Sequence, residues 1–123
     1  MASRSAISPW LAALLLLLTL PVAVKAQDYI ITTNNDTITI VQYTGVGGSV
    51  TIPDTINNLT VIRIGSNAFE NCSSLTNITI CDNVICIGDR AFSGCDGLVG
   101  VVIGNSVTTI GMVHLNGASV LRT

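Results

Sequence analysis

The residues best able to do chemistry in this sequence are its four cysteines, Cys72, Cys81, Cys86 and Cys95. Their spacing lacks the paired C-x2-C segments of structural zinc sites, so zinc ligation is disfavoured. An even number of cysteines in a secreted chain favours disulfides. Cys81 and Cys86 flank a short polar turn, and we predict a disulfide between them. A Cys72–Cys95 disulfide is the alternative, although both positions suit a small buried apolar residue.

The remaining titratable residues give a catalytic site little support. His114 is the single histidine and Glu70 the single glutamate, whereas a catalytic triad needs a nucleophile, a base and an orienting acid together. Asp82, Asp89 and Asp96 are evenly spaced along the chain, and no calcium-loop pattern surrounds them. We therefore predict a protein that is not an enzyme and that uses no metal and no cofactor.

The charge balance excludes nucleic acid as a partner. Residues 27–123 contain three arginines, no lysine and seven acids, a net charge of −4. Binding to a phosphate backbone requires a dense positive surface, which three arginines cannot supply.

The segment 1–26 has the three-part layout of a secretory signal. Arg4 lies in a polar start, an apolar run extends from Trp10 to Leu20, and small residues precede the expected cleavage between Ala26 and Gln27. The apolar stretch is shorter than the roughly 20 residues that a spanning helix needs. We predict that the segment 1–26 is removed, that no stable membrane insertion remains, and that the chain is secreted or cell-surface bound.

An internal repeat organises the rest of the chain. Ile64-Gly65 and Ala68-Phe69 recur at one constant interval as Ile87-Gly88 and Ala91-Phe92, and Ile110-Gly111 begins a third copy. One such unit cannot bury its own apolar face, so neighbouring units must stack, with Phe69 over Phe92. The predicted repeat core is Ile64, Phe69, Leu75, Ile78, Ile80, Val84, Ile87, Phe92, Leu98, Val101, Ile103, Val107 and Ile110.

Each unit predicts a short strand and a short helical turn. Leu75, Ile78 and Ile80 suit a strand whose side chains alternate into a core. Ala68-Phe69 is the helix-compatible segment, and the glycine after each repeated isoleucine suits a corner of the chain.

The pattern L-x-x-V/I-x-I-x-x-x-V-x-x-I-G-x-x-A-F-x-x-C, found from Leu75 to Cys95, resembles the BspA-like class of leucine-rich repeats. The resemblance covers about Val50 to Gly111. It implies a right-handed solenoid on a secreted or surface-exposed protein, mostly of bacteria and some protists, that serves in binding or adhesion. No catalytic residue belongs to this repeat, so the resemblance implies none here.

The ends of the repeat array differ from its middle. Residues 27–52 predict an N-terminal β cap, because Tyr29 to Thr33 and Thr37 to Tyr43 alternate around an Asn-rich turn. Residues 53–111 hold the leucine-rich repeats, and 112–123 form a degenerate or truncated last repeat. Leu121 lies two repeat intervals after Leu75, and the next strand of the repeat would begin only after Thr123, where the sequence stops. We therefore expect no strand after Val101 to Ile103. In that case the exposed edge of the last strand pairs with a second molecule, or the reading frame is a truncated part of a longer array. We favour truncation.

The predicted fold is mainly β with short helical turns, a right-handed leucine-rich-repeat solenoid with an N-terminal β-hairpin cap. The predicted function is non-catalytic binding of an unidentified protein or glycan through a polar ladder that includes Thr76, Asn77 and Thr79. The alternative is a truncated structural fragment of a longer array with no ligand of its own.

Overall fold

The computed structural model describes residues 28–115 and 117–123. The predicted signal peptide and its cleavage site between Ala26 and Gln27 lie outside these residues. The described part contains no helix, and therefore none that is long and apolar enough to cross a bilayer. Its ten strands are β1 (Tyr29–Asn34), β2 (Thr37–Tyr43), β3 (Gly48–Thr51), β4 (Thr55–Ile56), β5 (Leu59–Ile64), β6 (Leu75–Ile80), β7 (Cys86–Ile87), β8 (Gly100–Ile103), β9 (Thr109–Ile110) and β10 (Ser119–Arg122).

These strands form two sheets that wind as the coils of a solenoid. The front sheet has the order β1-β2-β5-β7-β9 with β4 also paired to β5, and the back sheet has the order β10-β8-β6-β3. The chain alternates between the sheets, and all pairings except β1–β2 and β4–β5 are parallel. Ile78 pairs with Val101 and Cys86 with Thr109, which are equivalent positions of successive repeat units. The predicted repeat is therefore one turn of the solenoid.

Two hairpins lie at the N-terminal side of the front sheet. The predicted hairpin is present as β1 and β2, with Asn35 in the turn at a φ of 55°. A second hairpin joins β4 to β5 through Asn57 and Asn58, whose φ values are 52° and 65°. Two consecutive positive φ values define the type I′ turn that matches strand twist, and asparagine tolerates them well.

A stack of aromatic rings runs through the core along the solenoid axis. The predicted contact of Phe69 with Phe92 is confirmed, with ring centroids 5.3 Å apart. Tyr43 extends the stack on the other side of Phe69, and Tyr29 packs against Tyr43 at 5.6 Å. Aromatic pairs at such separations add stabilisation beyond the area they bury.

Twelve of the thirteen predicted core residues are buried; they are Ile64, Phe69, Leu75, Ile78, Ile80, Val84, Ile87, Phe92, Leu98, Val101, Ile103 and Val107. Ile110 differs, because 43% of its surface is exposed. It occupies the same place in β9 as buried Ile64 and Ile87 do in β5 and β7. Those two are covered by the next coil, whereas β9 is the last strand of the front sheet.

The predicted helical turns at Ala68-Phe69 are single hydrogen-bonded turns instead. The Phe69 N–H donates to the carbonyl of Ala91 in the next coil at 2.7 Å, and the Asn67 N–H donates to Asp89 at 3.0 Å. The intervening Ala68 N–H bonds locally to the Gly65 carbonyl. Since alternate N–H groups bond between coils, a helical run cannot form.

The last coil contains a strand that the spacing did not predict. β10 pairs in parallel with β8 and places Val120 beside Val101. The strand therefore begins earlier in the sequence than the repeat interval predicts. Gly117, at a φ of 80°, lies in the turn just before β10, and the Arg122 guanidinium donates to the Val107 carbonyl. The expectation that no strand follows Val101 to Ile103 is therefore wrong.

Candidate functional site

The predicted polar ladder lies on the outer face of the back sheet. Thr76, Asn77 and Thr79 are all exposed on β6, and the Asn77 Nδ2 group donates to the Thr76 Oγ1 atom at 3.4 Å. The outward row through Thr79 becomes apolar toward β10, where Val102 and Leu121 follow it. The row through Thr79 thus carries hydroxyl groups only on its β3 and β6 side.

The four cysteine thiols are free in the structure, so the predicted Cys81–Cys86 disulfide is not formed. Cys81 follows β6 of the back sheet, and its Sγ atom donates to the carbonyl of Pro53 at 3.7 Å. Cys86 lies in β7 of the front sheet. The intervening corner separates the two cysteines onto different sheets.

The alternative Cys72–Cys95 disulfide is not formed either. Cys95 is buried, and its Sγ atom donates to the Phe69 carbonyl at 2.9 Å. Burial raises the pKa of Cys95 to about 11, and burial also raises the pKa values of the half-buried Cys72 and Cys81. These thiols remain protonated near neutral pH and are poor nucleophiles.

The acids and the histidine lie mostly at the surface of the described residues. His114 and Glu70 are exposed, and no three His, Cys, Asp or Glu side chains among residues 28–115 and 117–123 could hold a metal. Asp82 and Asp89 have a structural role instead. Each accepts a backbone N–H from the residue 23 positions on, Asn105 and Met112 respectively, at 2.9 Å.

The front sheet carries an outward row of hydrogen-bonding side chains that runs along the solenoid axis. This front row consists of Thr39, Arg63, Cys86 and Thr109, which are register partners across β2, β5, β7 and β9. Each of the four immediately precedes an isoleucine of the inward-facing row. Because side chains alternate along a strand, the front row must face away from the core.

A row of glycines turns the chain just beyond the front row. The N–H groups of Gly65, Gly88 and Gly111 each donate at 2.8 Å to an isoleucine carbonyl of the preceding coil. A Cβ atom on Gly88 would stand 2.5 Å from the backbone nitrogen of Ser66, so adjacent coils approach too closely for a side chain there. The glycines therefore let adjacent coils stack closely beside the front row.

Together these rows form a groove of about 460 Å³, here called the front groove. It is lined by the front row, by the glycine row and by Ser66 and Asp89, together with Ile64 and Ile87. Adjacent strands repeat about every 4.8 Å, so the groove offers one polar side chain per step along the axis.

The groove contains one cation and one acid. Arg63 is exposed, and within the described residues its guanidinium has no hydrogen-bond or ion-pair partner. One Asp89 oxygen accepts the Met112 N–H. A guanidinium with five donors and no internal acceptor is available to a ligand.

Sequence reasoning predicted the other polar face and did not single out the front groove. The signal was nonetheless present, because the residue preceding each Ile-Gly pair is Arg63, Cys86 or Thr109. Aligning those positions gives the front row. The groove itself depends on how closely the glycine corners stack, which no residue pattern states.

The two sheets, the repeating coil and the buried leucine and isoleucine rows define a leucine-rich-repeat solenoid. The family described as BspA type leucine rich repeat region matches residues 48–122 in six copies. The chain belongs to this family. No curated protein matches the chain in sequence.

Three solved structures are similar to this chain. A leucine-rich repeat protein of T. pallidum has a TM-score of 0.59 and 24% identity over 80% of this chain. A leucine rich cell surface protein of Faecalibacterium prausnitzii has a TM-score of 0.62 and 30% identity over 77%. A leucine-rich repeat protein of Bacteroides capillosus has a TM-score of 0.56 and 22% identity over 78%.

The chain spans 63% of the T. pallidum structure, 30% of the F. prausnitzii structure and 94% of the B. capillosus structure. The first and third likenesses concern the fold alone.

Proposed function

We propose that this chain is a secreted or cell-surface binding module that holds a protein or glycan ligand in the front groove without chemical turnover. The observation that carries the proposal is the front row, four hydrogen-bonding side chains in register beside a row of glycines. A small number of polar groups on one surface can fix the orientation of a bound ligand.

The chemistry of the groove suits binding. Thr39 and Thr109 offer hydroxyl groups, Arg63 offers guanidinium donors, and Asp89 offers an acceptor. Among the described residues that line the groove there is no histidine and no glutamate. These groups can recognise polar ligand atoms through hydrogen bonds and charge.

Two observations support an extracellular site of action. The sequence predicts a secretory signal at residues 1–26, and the similar protein of F. prausnitzii is described as a leucine rich cell surface protein. Sequencing the N-terminus of the exported protein tests this part directly. A mature chain beginning at Gln27 is expected, and retention of Met1 would contradict it.

A matched pair of variants tests the groove. Thr109 and Thr79 are both exposed threonines on strands, but Thr109 lines the front groove and Thr79 lies on the back sheet. Thr109→Tyr fills part of the groove, and Thr79→Tyr adds the same ring elsewhere. The full chain and both variants are tested on a glycan array and on immobilised extracellular matrix proteins.

We expect Thr109→Tyr to weaken binding at least tenfold and Thr79→Tyr to leave it within twofold. Circular dichroism melts verify that both variants fold. Equal losses in the two variants, or a loss confined to Thr79→Tyr, would contradict the front groove as the binding site. Absence of binding to every probe by the wild-type chain would favour a structural role without a ligand.

We also propose that two copies of the chain associate through the strand edges of the last coil. β9 and β10 are edge strands of the two sheets, and Ile110, Val120 and Leu121 expose between 43% and 63% of their surfaces there. Inside the solenoid, the positions equivalent to Ile110 are covered by a further coil. A second copy can cover it in the same way.

Sedimentation velocity over a range of concentrations tests the association. We expect a concentration-dependent dimer that Leu121→Lys weakens, because a lysine on an edge strand opposes pairing. Thr51→Lys, on β3 at the opposite edge of the back sheet, is the control and should leave the dimer intact. A strict monomer at all concentrations would contradict the proposal.

A further inference from the structure

We propose that the ligand of the front groove is a carboxylated glycan chain and that Arg63 binds its carboxylate. This inference rests on the proposed binding function and names the class of ligand. The proposed ligand is a saccharide, and binding of a peptide in its place would contradict the proposal.

Arg63 is the first reason for a carboxylated ligand. It lies between Thr39 and Cys86 in the front row, and within the described residues its guanidinium is unpaired. The planar fork of an arginine matches a carboxylate with two parallel hydrogen bonds. An exposed guanidinium that forms no ion pair among the described residues attracts a ligand group of opposite charge.

The rest of the groove suits the hydroxyl groups of sugars. The hydroxyls of Thr39, Ser66 and Thr109 can each donate or accept, and the carboxylate of Asp89 accepts. Asp89 also repels ligands of high negative charge. A groove lined by one cation and one acid therefore favours a singly charged carboxylate over a phosphate group.

The backbone argues against an extended peptide. A peptide strand binds a sheet through free N–H and C=O groups at an edge. The N–H groups of the groove-lining Gly65, Gly88 and Gly111 already donate to the neighbouring coil. An extended peptide also repeats its side chains on one face about every 6.6 Å, whereas the groove repeats about every 4.8 Å. A chain of pyranose rings is closer to the groove step.

The test compares the same sugar chain with and without its charge. A sialylated oligosaccharide carries a single carboxylate, and its methyl ester masks that carboxylate while keeping the hydroxyls. Oligogalacturonate, with a carboxylate on each ring, is a third probe, because it distinguishes a single terminal carboxylate from one repeated along the chain. Binding of each probe to the full-length protein is measured by isothermal titration calorimetry at low and at physiological salt.

Variants of Arg63 test whether its guanidinium binds the ligand carboxylate. Arg63→Gln removes the charge and keeps a polar side chain, and Arg63→Lys keeps the charge without the planar fork. Arg90→Gln is the matched control, since Arg90 is exposed at a turn and does not line the groove. The Arg63 side chain makes no hydrogen bond or ion pair within the described residues, so its variants should keep the wild-type melting temperature.

We expect the wild-type protein to bind the acid about tenfold more tightly than the ester at low salt, with the difference shrinking as salt rises. Arg63→Gln should abolish this difference, Arg63→Lys should retain part of it, and Arg90→Gln should retain all of it. Loss of binding in Thr109→Tyr identifies the groove as the location.

Equal affinity for the acid and the ester, or an unchanged preference in Arg63→Gln, would overturn the carboxylate inference while leaving groove binding intact. Competition by an Asp-rich peptide at the same concentrations would overturn the choice of a glycan. Binding that survives in Thr109→Tyr would overturn the proposed function itself, so the two failures are distinguishable.

Discussion

The ring of Tyr43 stacks on the ring of Phe69, with centroids 5.0 Å apart and an angle of 19° between the planes. Tyr43 ends the second strand of the N-terminal hairpin, and Phe69 belongs to the following coil. The Tyr43 N–H also donates to the Ala68 carbonyl at 2.8 Å. The hairpin is therefore held by the same aromatic stack that joins one coil to the next.

Replacing Phe69 by alanine should destabilise the fold by about 3 to 5 kcal/mol, because the ring is fully buried between Tyr43 and Phe92. Tyr43→Phe keeps the ring and removes only the hydroxyl that accepts the Gly47 N–H at 3.1 Å. That change should cost about 1 kcal/mol. Urea denaturation followed by circular dichroism measures both free energies of unfolding. A cost below about 1 kcal/mol for Phe69→Ala would contradict the continuous stack.

Gly88→Ala should destabilise the protein by about 1 to 3 kcal/mol. The added Cβ would meet the backbone nitrogen of Ser66 at 2.5 Å, and the backbone cannot move without separating two coils. Gly100→Ala is the control, since its Cβ would meet the end of the flexible Asn77 side chain at 2.6 Å. Thermal melts of the two variants should differ clearly, and equal melting temperatures would mean that the coils are more loosely packed than described.

Asp82→Ala should weaken the fold by about 0.5 to 1.5 kcal/mol, because the Asn105 N–H loses its acceptor. Asp82→Asn retains an oxygen at the same place and should recover most of the stability. Chemical denaturation at neutral pH distinguishes the two. If the asparagine variant is as unstable as the alanine variant, charge rather than the hydrogen bond carries the effect.

Stability should decline in alkaline solution through Cys95. Its pKa is about 11 in the folded protein, against an ordinary value of 9.0, so the unfolded chain releases this proton first as the pH rises. The contribution is fully present below pH 9 and is lost as the pH rises toward 11, at most about 3 kcal/mol. Unfolding free energies of wild type and Cys95→Ala across this alkaline range measure it. The variant should show the shallower decline, and parallel curves would refute the assignment.

The coil and its core were predictable because a repeat places equivalent residues on one axis. Once Phe69 and Phe92 are aligned as the same position of successive units, their contact follows from stacking alone. Ile110 has the same sequence context as Ile87 but lacks a covering coil, so its exposure depends on position in the array. The pattern describes a residue's neighbours within a unit and says nothing of whether the next unit is present.

The differences between the sequence-based expectations and the structure lie at the last strand, at the cysteines and at the front groove. The strand Ser119–Arg122 begins earlier in the sequence than the repeat interval predicts, because the chain turns at Gly117. Counting the repeat interval from Leu75 instead places the leucine position that precedes the strand at Leu121. Proximity in sequence suggested a Cys81–Cys86 disulfide, although the chain passes from one sheet to the other between them. The front groove depends on how closely the glycine corners stack, and this is visible only in the assembled coils.

The parallel register of the front row has a consequence for how such a surface changes by duplication or loss of sequence. Arg63, Cys86 and Thr109 are separated by one repeat unit each, so deleting the whole unit between Ser74 and Leu98 would place Arg63 directly beside Thr109 with every strand pairing preserved. The groove would shorten by one step of about 4.8 Å and lose one side chain. Unequal recombination can therefore alter the length and the chemical order of the binding surface in whole steps, without a new fold.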